Sequence, residues 1–246
     1  MKKIYKKLIN KLYYYKDEKY IFITRTWKAL LNECYLVRRN LYNFINYNSE
    51  SFDGKILDFG CGKKPYRELF KNSAEYIGLD FETKDFEFER NADYYYDGKT
   101  FPFKDSEFDN VVSFQVLEHI PNPERILSEI NRVLKENGKL LLTYDFAFPE
   151  HFEPYDYYRF TQFKIKELLK DTGFEVLSIT PSTSTFENIC LQLNYYLSKH
   201  CKFHLLRFFS NFFINLFSII LIKILPKDYS FPEGYMVVAI KQKSGE

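Results

Sequence analysis

Three carboxylates, a glycine pair and two imidazoles carry the chemical interest of this sequence. Asp58-Phe-Gly60-Cys61-Gly62 sets an acid directly ahead of two glycines. A turn without Cβ atoms lets a ligand approach the backbone. The stretch Pro65–Phe70 reads as the opening of a helix, whose unpaired N–H groups would face the same ligand. Asp80 closes the apolar run Glu75–Leu79, and a carboxylate there can accept both hydroxyls of a ribose. Asp97 stands ahead of Gly98 in a further loop. His119 and His151 supply imidazoles, which exchange protons near neutrality.

His151 also opens the segment His151-Phe-Glu-Pro154-Tyr155-Asp156-Tyr157-Tyr158-Arg159-Phe-Thr161. Tyr155, Asp156 and Arg159 suit a hydroxyl-rich or anionic substrate through stacking and bidentate hydrogen bonds. The structural alternative is an Arg159–Asp156 ion pair that braces the loop. The glycine turn also has two readings. A dinucleotide site asks for G-x-G-x-x-G with a pyrophosphate above the helix start. Here Lys64 stands in place of a third glycine, and Asp58 would repel a phosphate. A cationic ligand without phosphate fits the acid better.

These residues need a scaffold that brings strand ends together. Residues 55–145 alternate apolar runs with helical patterns, which predicts a parallel α/β sheet covered by helices on both faces. The expected strands are Lys55–Phe59, Glu75–Leu79, Val111–Phe114, Lys139–Thr143, Phe174–Thr180 and Gly234–Lys241. A helix is expected from Pro123 to Leu134, closed by Asn137-Gly138, and another over Gln162–Asp171. Asp109 is expected to cap or orient the strand that follows it, and Phe101 and Phe103 to be core aromatics.

The motif D-x-G-x-G, the run Asp97-Gly-Lys-Thr-Phe101-Pro102-Phe103, the pair Phe108-Asp109 and the later Leu117-Glu118-His119 together resemble the class I S-adenosylmethionine (SAM) methyltransferases, small-molecule branch. The segment from His151 to Thr161 resembles members associated with bacterial surface polysaccharide synthesis. The resemblance covers about residues 52–180 and the last strand. It implies a Rossmann-like, doubly wound α/β sheet, mostly parallel with an antiparallel last strand. It implies S-adenosyl-L-methionine as cofactor, held by Asp58, Gly60, Cys61, Gly62, Asp80, Asp97, Gly98, Phe114 and Gln115. By the same resemblance Asp97 would meet the adenine amino group. His119 and His151 become the catalytic candidates, and Tyr155, Asp156 and Arg159 the substrate-binding ones. No metal site is expected. The expected reaction is O-methylation of a sugar, glycan or lipid-linked intermediate at a membrane surface. The alternatives are methylation of a quinone or other membrane-soluble aromatic, and a non-catalytic SAM-fold scaffold.

Outside those motifs the chain divides into a helical N-terminal segment, 1–50, and an apolar helical insertion, 186–228. The methyltransferase domain would occupy 51–185 and 229–246. Lys2, Lys3, Lys6, Lys7 and Lys11 interrupt the first apolar residues, so this stretch does not read as a signal peptide. An amphipathic helix on the domain, a solvated tail and a membrane-surface helix are all compatible with it. Residues 21–47 suggest a second helix over the substrate side or the sheet edge. Residues 203–225 are the most membrane-like. Their uncharged centre is too short to span a bilayer, and the last strand must return to the same sheet. His204, Arg207, Asn211, Asn215 and Ser218 make a polar stripe at helical spacing. Membrane surface, a second subunit and a folded lid are the candidate partners of the remaining face.

Composition bounds the rest. A chain of 246 residues with 46% hydrophobic content supports one domain with additions. A net charge of +2 gives no field suited to nucleic acid. The 26 Phe and 21 Tyr are unusually many. Four cysteines show no metal-binding spacing, which fits free thiols in a reducing cytoplasm. The expected location is cytoplasmic, with the inner face of the cell membrane as a peripheral alternative.

Overall fold

The computed structural model describes residues 27–82 and 91–243; the basic segment at the start of the chain lies outside them. Among the described residues seven strands form: β1 (Gly54–Phe59), β2 (Ser73–Phe81), β3 (Tyr94–Tyr96), β4 (Phe108–Phe114), β5 (Leu134–Asp145), β6 (Phe174–Pro181) and β7 (Gly234–Lys241). They lie in one sheet of order β3-β2-β1-β4-β5-β7-β6. β1 pairs in parallel with β2 and β4, β2 with β3, and β4 with β5. β7 is antiparallel to both β5 and β6. Runs such as Ile56–Phe59 and Asn110–Ser113 are buried at every position, without alternation, because both sheet faces are covered.

Among the described residues five α-helices accompany the sheet: α1 (Tyr35–Ser49), α2 (Pro123–Val133), α3 (Gln162–Asp171), α4 (Thr185–His200) and α5 (His204–Leu221). Ile126, Leu127, Ile130 and Val133 of α2 and Ile165, Leu168 and Leu169 of α3 bury one face against Leu57, Val111, Leu140 and Val237. Their spacing is that of one helical stripe. On the other face, Ile45 of α1 packs with Phe52, Ile56, Val112 and Leu141. Val37 and Leu41 meet Leu191 of α4 and Met236 of β7.

The structure corrects three expected elements. Pro65–Phe70 is not the opening of an α-helix; only a 3-10 turn forms, at Arg67–Leu69. Tyr66 and Phe70 are both buried, and β2 already begins at Ser73, so the short connection is used to fill the core. α2 ends at Val133, and Asn137-Gly138 belongs to β5 instead of capping the helix. Phe108 pairs with Leu134 but Asn110 pairs with Lys139, so these residues bulge out of the ladder, with Asn137 at φ +61°. The strict strand–helix alternation is also incomplete, since α2 is the only α-helix among the described residues between β1 and β5. The short strand β3 is formed by three consecutive tyrosines, a run to which no strand was assigned from the sequence.

Asp109 does orient its neighbours: its Oδ2 accepts the Lys55 N–H at 2.8 Å and its Oδ1 meets Lys135 Nζ at 2.6 Å. Phe101 is buried between Phe59 and Tyr96.

Candidate active site

The turn after β1 sits where β1 and β2 end side by side. Gly60 has φ +71° and Gly62 φ +48°, a region that L side chains rarely enter. Lys64, where a third glycine was absent from the sequence pattern, also adopts φ +55°. Its side chain is buried and pairs with Asp93. A Cβ on Gly60 would stand 2.3 Å from Val116 Cγ2. Gly60→Ala is therefore expected to destabilise the fold by about 2 kcal/mol or more, read as a lowered denaturation midpoint. An unshifted midpoint would show that the turn relaxes freely. A Cβ on Gly62, by contrast, would meet nothing within 4 Å, so the chain leaves that side open.

Two cavities adjoin at this turn, sharing Gly60, Gly62 and Gln115. One, of about 570 Å³, is walled by Phe81, Val116, Ile120 and Ile126 and edged by Asp80, Asp97 and Gly98. Asp80 Oδ2 accepts the Gly62 N–H at 3.0 Å, which ties the tip of β2 to the turn. Asp97 is exposed at the rim, where its carboxylate accepts the Lys99 N–H at 2.9 Å. The other, of about 460 Å³, contains Asp58, Cys61, Phe114, Asp145, His151 and Glu233, with Val37, Arg38 and Leu41 of α1 on its wall.

Asp58 is nearly sealed, and Tyr76 Oη donates to its Oδ2 at 2.8 Å. Burial pushes its pKa up to about 7, against the opposing pull of Tyr76 and Lys64. A carboxyl whose folded pKa lies above its unfolded one holds its proton more tightly when folded. Its contribution favours folding below the unfolded value near 4 and is lost as pH rises to about 7. Asp58→Asn is thus expected to gain stability on wild type between pH 5 and pH 8, measured by urea midpoints. Parallel pH profiles of the two proteins would contradict this.

The two imidazoles meet where the cavities adjoin, with ring centroids 4.8 Å apart, edge to face. His119 borders the first cavity and His151 the second. His119 Nδ1 lies 2.7 Å from the Tyr155 carbonyl oxygen, so Nδ1 carries the proton and Nε2 is free to accept one. Burial pulls the His119 pKa down, which keeps the ring neutral. His151 Nδ1 lies 3.1 Å from the Pro149 carbonyl, and its Nε2 lies 3.8 Å from Asp145 Oδ2. Behind it, Asp145 and Glu233 are buried together. Burial raises both carboxyls, and their mutual contact lets the pair share a proton. Neither acid was singled out from the sequence. Their only signal was position, Asp145 at the end of β5 and Glu233 just before β7. Glu118 is 0% exposed, and neither carboxylate oxygen finds a hydrogen-bond partner among the described residues. Burial raises its pKa well above the ordinary carboxylate range. Among the described residues, Glu118, His119 and His151 bring ligand atoms within 4.8 Å of one another, a spacing that could hold a divalent cation.

The loop from His151 to Thr161 is braced from inside. Arg159 pairs with both oxygens of Asp156 at 2.6 and 2.7 Å, and donates further to the carbonyls of Phe148, Pro149 and Tyr158. All five of its N–H groups are thereby engaged. Asp156 Oδ2 also accepts the His151 N–H at 2.9 Å. Asp156 and Arg159 line neither of these two cavities, and their side chains brace the loop. Tyr155 does line the first cavity.

The chemistry of the first cavity fits a nucleoside without phosphate: apolar walls for a base, Asp80 at a strand tip, and an open glycine turn. At the junction, the buried Gln115 Oε1 finds no donor among the described residues and is free for a ligand's N–H. Fold and site together define an α/β domain that binds a cationic nucleoside cofactor at the carboxyl ends of its strands. Residues 57–142 match the family described as Methyltransferase domain. The chain thus carries a class I SAM-dependent methyltransferase domain, whose cofactor is S-adenosyl-L-methionine.

The relatives agree. The probable S-adenosylmethionine-dependent methyltransferase of Mycolicibacterium smegmatis is 28% identical over 166 residues, covering 62% of this chain and 64% of that protein. Cycloartenol-C-24-methyltransferase 1 of Oryza sativa is 35% identical over 113 residues, 41% of this chain and 33% of its own. Among solved structures, phosphoethanolamine N-methyltransferase 2 of Haemonchus contortus, in complex with S-adenosyl-L-methionine, superposes with a TM-score of 0.53. It is 19% identical, over 90% of this chain and 58% of that one, a likeness of fold. The chain spans less than two thirds of the length of these relatives.

Proposed function

We infer that this protein transfers the methyl group of SAM to a hydroxyl oxygen of a sugar, glycan or lipid-linked intermediate. The observation that carries this reading is the His119–His151 pair at the junction of a nucleoside-shaped cavity and a second, polar-floored one. When bound, SAM would supply an electrophilic methyl on a sulfonium, whose S–CH3 bond breaks as the O–CH3 bond forms and leaves the neutral thioether of S-adenosylhomocysteine. The protein's part is to line up an acceptor oxygen with that methyl and to exclude water. As the O–H bond gives way to O–CH3, the acceptor proton passes to His151 Nε2. Asp145 steadies the resulting imidazolium, and Asp156 and Arg159 hold His151 in place. Asp145 and Glu233 present acceptors suited to hydroxyls on the cavity floor. Val37, Leu41 and Phe148 on the same wall favour a second reading, an aromatic or quinone acceptor.

Cell-envelope extracts incubated with the full chain and methyl-labelled SAM test the proposal. The expected result is label in a glycan or lipid-linked sugar, as an O-methyl ether by mass spectrometry. Label in a quinone would favour the second reading. SAM binding without transfer to any envelope fraction would favour a scaffold. A lipid-linked acceptor would place the enzyme at a membrane surface, at the inner face of the cell membrane if the chain is cytoplasmic.

A further inference from the structure

The hairpin of α4 and α5 is built inside out. Asn194, Asn211, Asn215 and Ser218 are buried, while Phe209, Phe213 and Phe217 are 59%, 60% and 56% exposed. Leu206 and Ile220 continue that stripe along α5, with Ile224 just past its end, and Ile189, Leu193 and Tyr196 form an exposed apolar row on α4. The polar side chains hold the hairpin together. Asn194 Nδ2 donates to Asn215 Oδ1 at 2.9 Å. Asn215 Nδ2 donates to the carbonyls of Leu30 and Asn32 at 2.8 and 2.9 Å. Asn211 Nδ2 donates to the Leu31 carbonyl at 3.2 Å. The polar stripe read from the sequence therefore faces inward. A water-facing helix has the opposite arrangement. Polar contacts between helices with an apolar exterior are the pattern of helices packed in lipid.

Charge adds a second, independent indication. Between Asn188 and Lys227 there is no Asp or Glu, while Lys199, Lys202, Arg207, Lys223 and Lys227 are all cationic. The lysines among them are exposed and stand toward the two ends of the hairpin. α5 has 18 residues, and so is about 27 Å long. It is apolar enough to cross a bilayer, but the strands on either side of the insertion, β6 and β7, pair with each other in one sheet. A single crossing would separate them. Insertion of the turn after His200 would bury Lys199 and Lys202 in hydrocarbon, at high cost.

We propose that the α4–α5 hairpin lies flat in the interface of an anionic lipid bilayer, with its phenylalanine stripe among the acyl chains and its lysines at the headgroups. This deepens the lipid-linked reading of the acceptor, yet it does not depend on methyl transfer. The site and the hairpin are tested on separate readouts.

Full-length protein is mixed with phosphatidylcholine vesicles, with and without phosphatidylglycerol, and sedimented; SAM binding is followed in parallel by calorimetry. Binding to the anionic vesicles is expected, about tenfold or more weaker without phosphatidylglycerol and weakened by salt. The triple variant Phe209→Glu, Phe213→Glu, Phe217→Glu should stay in solution with its SAM affinity unchanged. If that variant does not fold, a quadruple Lys→Glu variant at 199, 202, 223 and 227 gives the same test by losing the anionic preference. Wild type that ignores both vesicle types would overturn the proposal. So would a concentration-dependent dimer, seen by sedimentation equilibrium and dissolved by the triple variant, because a second copy would then cover the stripe. Loss of SAM binding with vesicle binding intact would count against the proposed function alone.

Discussion

Asp80→Ala is expected to weaken SAM binding by two to three orders of magnitude, with the fold intact. A carboxylate at this strand tip offers a ribose two charge-assisted hydrogen bonds, each worth about 1.5–3 kcal/mol. Their joint loss, about 3–4 kcal/mol, corresponds to that range in affinity. Asp80 has a second task, since its Oδ2 accepts the Gly62 N–H at 3.0 Å. Removing the carboxylate frees that donor in the mouth of the cavity and loosens the turn. Asp80→Asn keeps one acceptor and should fall between wild type and alanine. Calorimetric titration with SAM reads the effect, and far-ultraviolet circular dichroism shows whether the sheet survives. Alanine and wild-type proteins of equal affinity would remove Asp80 from the cofactor site.

Replacing His151 should act on turnover and spare the cofactor. His151→Ala is expected to lower kcat by about 10²–10⁴-fold, the range for loss of a general base, with SAM affinity changed by no more than about twofold. His119 is close by but faces the nucleoside-shaped cavity, with its Nδ1 committed to the Tyr155 carbonyl. Asp145 stands 3.8 Å from His151 Nε2 and shares its burial with Glu233. As a positioning residue it should act through His151 on turnover and leave cofactor binding alone. Asp145→Asn is expected to lower kcat by about tenfold with KM for SAM unchanged, and to lower it little further in a His151→Ala background. A loss of the same size in that background would reduce Asp145 to packing.

The sequence was legible where one residue type answers one backbone demand. Gly60 and Gly62 announced a left-handed turn because few other residues adopt it cheaply. The stripe Ile126, Leu127, Ile130, Val133 announced a buried helix face. Fold class followed from such local patterns, and cofactor class from the family resemblance of the motifs around them. Lys64 was harder: only the structure shows that its left-handed backbone is accompanied by a buried ion pair to Asp93. The missing helix after Pro65 was also hidden, because Tyr66 and Phe70 suit a helix face equally well until the early start of β2 is known.

The acceptor side was the least legible. Asp145 and Glu233 meet only through the antiparallel pairing of β5 and β7, a contact between residues 88 positions apart in sequence. Arg159 and Asp156 carry the same types whether they bind a substrate or brace a loop, and the brace became visible only with their partners in place. The polar stripe on α5 was visible as a pattern, but a stripe does not say which side faces out. Its burial against Leu30, Leu31 and Asn32 reverses the usual reading.

Calorimetric titration of the full chain with SAM, set beside NAD and ATP under the same conditions, tests the central claim most directly. One binding site for SAM, and no detectable heat from either phosphate-bearing nucleotide, is the result expected of a turn flanked by Asp58 and Asp80. Binding of NAD or ATP with no response to SAM would contradict the account at its root.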